Sequence, residues 1–380
     1  MNFDWIPEEK ELADKTAALF DPETRSELEA MEQAGLEEIR AITLRRLGRL
    51  AEIGYLHVGT GPEAERETTA LIAAQEQLAR LSGSLFLAVE TTARLFGGLL
   101  EGFGDGQNVT DILEPLRRGE LIAAVAISET EERDAPEGPV TWARRDGDGY
   151  VLTGRKSFVT NGPIADFVAV LADSGGKSVV CLVERTNEGV SVGPRLRTLG
   201  YNGLAVASIE FKDVKVPAKR ALGPFDSRQP LDYLTLMQDL VLTMASVGLM
   251  HRAVCDAKDY AQSHLKGGKP IFRFQEIRFK LAEMLTLAQT AQLLAYRAGW
   301  LYSLGDKEAL GVMRCAKVFS SEAAEQVTGL AMQITAGQGY LWDSPIQRAY
   351  REAKYASIAG TTSEVARMAI ADELLTRRQV

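Results

Sequence analysis

The hydrophobic period of this chain changes twice, near residue 121 and again after Pro230, and that double switch limits the folds open to it. From Pro7 to about Leu116 apolar residues recur at intervals of three and four, as in "SELEAMEQAGLEEIRAITLRRLGRLAEIGY", with Gly, Pro and Asn at the breaks. Such spacing gathers an apolar stripe on each helix and predicts a helical unit. Between 121 and 225 the segments "YVLTGRKSFVTN", "DFVAVLAD", "SVVCLVE" and "ASIEFKDVKVP" alternate or run apolar with β-branched residues, separated by the turn-forming "DGDG", "DSGGKS" and "NEGV". These read as strands of a small antiparallel unit. After Pro230 the helical period returns in four long stretches, about 231–264, 273–304, 307–335 and 345–376. In the second, Phe274, Ile277, Leu281, Met284, Leu285 and Ala288 share one stripe, which predicts an up-and-down bundle. The expected fold is α+β: an N-terminal helical domain over 1–120, a middle antiparallel β domain over 121–225 and a C-terminal four-helix bundle over 226–380.

Bulk properties narrow the function. A chain of 380 residues can bury a large core, and its formal net charge of -9 with no basic run argues against nucleic acid or an anionic membrane as partner. The start, "MNFDWIPEEKELADK", has neither a basic nor an apolar targeting segment, and no apolar run is long enough to span a bilayer, so a cytoplasmic protein is expected. Cys181, Cys255 and Cys315 are far apart in apolar or helical surroundings and read as reduced structural residues. His57, His251 and His264 form no ligand-spaced group, so no metal is expected. "SGGKS" at 174–178 looks like the end of a phosphate-binding loop, but Leu171 stands where that loop needs its first glycine. "GFGDG" at 102–106 closes a helix instead of joining a strand to one, unlike a dinucleotide fingerprint.

Three separated segments, "AVAISETEE" (123–131), "GYVLTGRKSFVTNGPIADFVAVLA" (149–172) and "QITAGQGYLWDSPIQRAYREAKYASIAGTTSEVARMAIADELL" (333–375), resemble the acyl-CoA dehydrogenase family of flavoproteins. "IEFKDVKVP" and "FRFQEIRFKLAEM" fall in register too, so the resemblance covers essentially the whole chain. It implies FAD as cofactor, an acyl-CoA or carrier-bound acyl thioester as substrate, and α,β-desaturation, which needs a base for the α-proton and a hydride acceptor opposite the β-carbon. It also implies flavin contacts from Ile127 and Ser128, a hydroxyl near flavin N5 from Thr160, and a ring-shielding aromatic at Phe158. Gln275, Gln333, Gly337 and the turn Thr362 to Glu364 match further cofactor-contacting positions, some of them serving a neighbouring subunit. An oligomer, usually a tetramer, is implied, with an electron-transfer flavoprotein or another acceptor taking the electrons.

The departures from the family pattern are specific. Gly360 stands where many relatives carry the catalytic glutamate, and Gln238 occupies the alternative position on the first helix of the bundle. Neither residue is basic. Asp239 replaces an arginine that commonly contacts coenzyme A. Arg133 and Asp134 fall where a serine donates to the FAD diphosphate, His264 aligns with the diphosphate arginine, and Gly267 with a nearby phenylalanine. Three readings follow. The base has moved, to Glu90 in "LFLAVETTARLF" or to Asp239, where apolar burial would raise a carboxyl towards a useful pKa. Alternatively, the chain is the base-less subunit of a hetero-oligomer whose paralogue completes the site. The third reading is a flavin oxidase or monooxygenase on the same scaffold.

Overall fold

The computed structural model describes residues 7–58, 64–129 and 141–376. Among these, seven helices precede the sheet: α1 (Pro7–Ala18), α2 (Pro22–Met31), α3 (Leu36–Glu52), α4 (Ala64–Leu81), α5 (Gly83–Glu90), α6 (Gly98–Phe103) and α7 (Gly106–Arg117). Their starts follow the local sequence. Asp21 caps α2 by accepting from the Thr24 amide, with Pro22 in the first turn, and Ser82 caps α5 by accepting from Leu85. Between α5 and α6 the helix widens into a π-helical stretch, Thr91–Gly97, so the three run almost without a break. Single π turns of this kind free a backbone carbonyl and are common beside functional sites.

Eight strands follow: β1 (Ala123–Ala126), β2 (Trp142–Asp146), β3 (Gly149–Thr160), β4 (Phe167–Asp173), β5 (Ser178–Glu184), β6 (Val190–Val192), β7 (Val206–Val216) and β8 (Ala221–Phe225). They form one sheet in the order β6-β7-β3-β2-β4-β5-β8, with β1 paired to β4. The sheet is mixed, where the sequence pattern suggested a purely antiparallel one. β1 runs parallel to β4 from Ala123↔Phe167 to Ala126↔Val170, and β2 meets β4 in parallel at Trp142↔Asp173. The hairpin β2–β3 lies between β1 and β4 in the chain and supplies the long crossover that a parallel pair requires.

The C-terminal helices are α8 (Gln229–Ser263), α9 (Gln275–Ser303), α10 (Ala309–Gly339), α11 (Pro345–Ala353), α12 (Tyr355–Ile358) and α13 (Ser363–Thr376). The stretch expected as one helix over 345–376 is three, broken at Lys354 and at the turn 359–362. Gly360 has φ +60 there, a left-handed conformation that costs glycine little. α10 continues past 335 to Gly339 across a kink at Ala336 (φ 49, ψ -134).

Three apolar cores hold these parts together. The largest joins the first helices to the bundle, through residues such as Ile72, Phe86, Met244, Ala288 and Val327. α4 crosses α8 so closely that a β-carbon at Gly248 would lie 2.6 Å from Ala79 Cβ. A second core fills one face of the sheet around Leu152, Val170, Val183 and Phe211. The third packs Leu95, Phe96 and Leu99 against Ala169 and Leu182 of the other face and Leu234 and Met237 of α8. α8 is long and apolar enough to cross a membrane, but 78% of its most apolar window is buried in this protein core. On α9 the expected stripe is only partly covered: Met284 and Ala288 are buried, whereas Phe274 and Leu285 are 45% and 48% exposed. The three cysteines are reduced thiols, Cys181 buried, Cys255 half-buried and Cys315 exposed.

Candidate active site

A cavity of about 460 Å³ opens where the π-helical stretch, the sheet, α8 and the turn before α13 meet. Leu87, Thr91 and Leu95 face it from one helix, Val125, Ile127 and Ser128 from the end of β1, and Ser157, Phe158 and Thr160 from β3. Gln238, Val241 and Leu242 of α8 and the run Ile358 to Thr361 close the opposite side. Aliphatic walls with a few converging polar groups suit a small-molecule site.

The strand ends are held in place by groups with little sequence signal. The register of β3 against β7 slips between Lys156 and Val159, and at that bulge Phe158 takes φ 55 and turns its ring outward, 69% exposed. Lys156, 3% exposed, donates to the Ile127 carbonyl (3.0 Å) and to Glu129 (2.8 Å), while the Ser157 amide donates to the Ser128 carbonyl (2.8 Å). Burial pulls the Lys156 ammonium down from its ordinary pKa, and Glu129 pulls it back up. Asn161, at φ 62, donates to the carbonyls of Ala88 (2.9 Å) and Ala123 (3.0 Å), locking the end of β3 to α5 and β1. Behind Thr160, burial holds the Tyr355 phenol above its ordinary pKa, with the Thr160 side chain pulling the other way.

At the far side, position 360 faces Gln238. A β-carbon on Gly360 would lie 2.9 Å from Gln238 Cδ and 3.1 Å from its Oε1. Among the described residues that line the cavity there is no carboxylate.

Glu90 and Asp239 do not line the cavity. Glu90 is fully buried and accepts from the Tyr55 phenol (2.8 Å) and the Gln75 amide (2.6 Å), with Arg94 Nε 3.6 Å away. Arg94 in turn donates to the backbone carbonyls of Tyr55 (2.6 Å) and Leu56 (3.3 Å), and Tyr55 is pushed well above the usual phenol pKa by burial and by the Glu90 charge. The Tyr233 hydroxyl donates to the Arg94 carbonyl at 2.9 Å, against Gly98, whose missing side chain leaves it room. Asp239 is also fully buried, and neither carboxylate oxygen has a hydrogen-bond partner. Burial pushes its pKa up to about 6; Lys317, Arg314 and, least, the Thr361 side chain draw it back.

The remaining expected cofactor contacts lie outside the cavity. Gln275 begins α9, and Gln333 and Gly337 flank the kink of α10; all three are exposed. Thr362 accepts from the Val365 amide (3.3 Å) at the start of α13, and Glu364 is exposed in its first turn. His264 ends α8, stacked on Tyr260 at 4.8 Å, and Gly267 follows in a tight turn at φ 59. Arg133 and Asp134 lie outside the described residues.

Known proteins share both the sequence pattern and the fold. The profile "Acyl-CoA dehydrogenase, middle domain" matches residues 124–214, and "Acyl-CoA dehydrogenase, C-terminal domain" matches 237–375. The chain is 31% identical to benzylmalonyl-CoA dehydrogenase of Aromatoleum aromaticum, over 98% of this chain and 100% of that protein. It is 32% identical to 3-(aryl)acrylate reductase of Clostridium sporogenes, over 86% and 89% of the two chains. Its fold matches butyryl-CoA dehydrogenase from Megasphaera elsdenii with a TM-score of 0.89 at 25% identity, covering 99% of this chain and 100% of that one. The matching segments take in the ends of β1 and β3, most of α8 and the turn before α13, and this chain belongs to the acyl-CoA dehydrogenase family.

Proposed function

We propose that this chain is an FAD-dependent oxidoreductase of acyl thioesters in which loss of a substrate carboxylate, instead of a side-chain base, releases the electron pair at the α-carbon. The observation that carries this reading is the Gly360–Gln238 contact: both positions expected to bear a glutamate lack one, and no described lining residue replaces it. An acyl thioester cannot lose an α-proton without an acceptor. A 2-carboxyacyl thioester needs none. Its bond to the carboxylate breaks to give CO2, the released pair forms the α,β double bond, and a hydride leaves the β-carbon. The relative named benzylmalonyl-CoA dehydrogenase supports this class of substrate, because a malonyl thioester carries its carboxylate on the α-carbon.

The residues suit such a substrate. A glutamate at 360 would set two like charges in one small volume, whereas glycine leaves that volume to the substrate. The Gln238 amide can donate to a carboxylate, which a glutamate could not. Leu87, Leu95, Val241 and Leu242 exclude water from the acyl chain.

The cavity also fits a flavin. The exposed Phe158 ring offers a stacking face, and the Ser128 and Thr160 hydroxyls can bond the polar edge of a flat heteroaromatic ring. When bound, the flavin supplies the hydride acceptor. Gln275, Gln333, Gly337, Thr362 and Glu364 are assigned to the rest of FAD, with the exposed ones facing a partner copy in a homotetramer or a hetero-oligomer. Exposed apolar side chains on α9 and α13, among them Phe279, Leu293 and Met368, support a partner subunit. An electron-transfer flavoprotein is a fitting acceptor, given a relative named as a caffeyl-CoA reductase–Etf complex subunit in Acetobacterium woodii.

The test is anaerobic mixing of the flavin-loaded protein with a 2-carboxyacyl-CoA and with the acyl-CoA that lacks the carboxyl. Bleaching with release of one CO2 per flavin, confined to the first compound, is the expected result. Equal bleaching by both would return the base to Glu90 or Asp239.

A further inference from the structure

The turn that places Gly360 against Gln238 is not held by its own hydrogen bonds alone. Lys317 of α10 is completely buried, and its ammonium donates to the Thr361 carbonyl. Two carboxylates act on that ammonium: Asp239 of α8, fully buried, and Glu364 in the first turn of α13, exposed. Asp239 is acted on in turn by Lys317 and Arg314 of α10, yet it makes no hydrogen bond through either oxygen. A second link between the same elements brings the Ser321 and Ser363 hydroxyls to 3.5 Å. Burying an ammonium is costly unless it is bonded, and the Thr361 carbonyl supplies that bond. The site it serves is the one through which Gly360, Thr361 and Gln238 face the cavity.

We infer that Lys317 is a positioning residue for the reaction centre: buried in α10, it clamps the Thr361 carbonyl and so fixes Gly360 and Gln238 in the arrangement that receives the reacting end of the substrate. The clamp itself rests on geometry, and its bearing on turnover rests on the functional reading above. Asp239 does not line the cavity.

Hydrogen–deuterium exchange on the cofactor-free protein, followed across 355–366, reads the clamp without any turnover. Lys317→Met is expected to speed exchange of the turn amides by about tenfold or more while α9 and the rest of α10 keep their protection. In the loaded enzyme the same variant is expected to lower kcat about tenfold with KM little changed, since geometry is lost at the reacting atoms and not along the acyl chain. Lys317→Arg, which keeps a buried donor for the Thr361 carbonyl, restores both. Wild-type exchange at the turn in Lys317→Met overturns the inference. So does exchange that rises throughout the bundle with no rescue by arginine, which marks a core residue only. If the wild-type protein oxidises no 2-carboxyacyl-CoA, the functional reading falls while the exchange data still decide whether Lys317 holds the turn.

Discussion

Gln238 lies over Gly360, with its Cδ 2.9 Å from where a β-carbon on that glycine would sit. Two positions far apart in the chain therefore share one small volume. Gly360→Ala must displace Gln238 and place a side chain at φ +60, a conformation that costs a non-glycine residue about 1–2 kcal/mol. A drop in stability of that order in urea unfolding is the expected outcome. Gly360→Glu is expected to slow turnover of a 2-carboxyacyl-CoA by at least about tenfold through like-charge repulsion in that volume, measured by stopped-flow bleaching.

Gln238 lines the cavity, and in the proposed function its amide donates to the α-carboxylate. Removing a hydrogen bond to a charged group costs about 1.5–3 kcal/mol, so Gln238→Leu should raise KM for a 2-carboxyacyl-CoA at least about tenfold. The inhibition constant of the product enoyl-CoA, which has lost the carboxylate, should move far less. Inhibition by enoyl-CoA against turnover of the carboxylated substrate separates the two.

Phe158 is 69% exposed and held by a bulge, so its ring contributes little to the core. Phe158→Ala should leave the melting temperature within a degree or two of the wild-type value, as exposed substitutions change stability by about 0.5 kcal/mol or less. Loss of a stacked ring worth about 0.5–1.5 kcal/mol should weaken FAD binding by up to about tenfold. Retention of FAD on dilution, followed by its fluorescence, checks the effect.

The Glu90 cluster makes the opposite prediction. Its carboxylate is the counter-charge of a guanidinium only 1% exposed. Glu90→Gln leaves that cation buried without it, which should cost about 3–5 kcal/mol of stability. Activity per folded molecule should change little, because Tyr55, Gln75 and Arg94 surround the carboxylate and it does not line the cavity. Thermal melting alongside single-turnover bleaching distinguishes the two effects, and a loss of bleaching in fully folded protein would make Glu90 the base.

The contrast between these residues marks how far the sequence can be read. Ser128, Phe158 and Thr160 sit in short motifs on the ends of two strands, and the alternation that makes a strand also decides which side chains leave its end together. Gly360 and Gln238 stand out because each lacks an expected charge. Glu90 could not be resolved the same way. An apolar helical stretch announces burial, but its partners Tyr55 and Gln75 come from a turn after α3 and from α4, and periodicity carries no record of which buried polar groups meet across elements. The π-helical stretch beside Glu90 was equally illegible, since a carbonyl accepting from Tyr233 is a tertiary event. Lys317 reads from its sequence as an ordinary helical lysine, and only the docking of α13 on α10 makes it a clamp.

Asp239 gives a pH signature with a definite sign. Its pKa is raised in the fold, from an ordinary 3.8 to about 6, because burial disfavours the charged form more than Lys317 and Arg314 favour it. The native state therefore holds this proton more tightly than the unfolded chain does. Its contribution to stability is full below about pH 4 and is lost as pH rises through about 6, amounting to about 3 kcal/mol at one unit per 1.36 kcal/mol. Carboxylates with lowered values, such as Glu27 beside Arg45 and Arg46, act in the opposite direction, so the term must be isolated by difference. Relative to Asp239→Asn, whose side chain does not titrate, the wild-type protein should lose stability between pH 4 and 7 by up to that amount. Urea unfolding of both proteins across this range measures the difference. A gap that stays constant with pH would mean that Asp239 is ionised throughout, in which case Lys317 and Arg314 outweigh its burial.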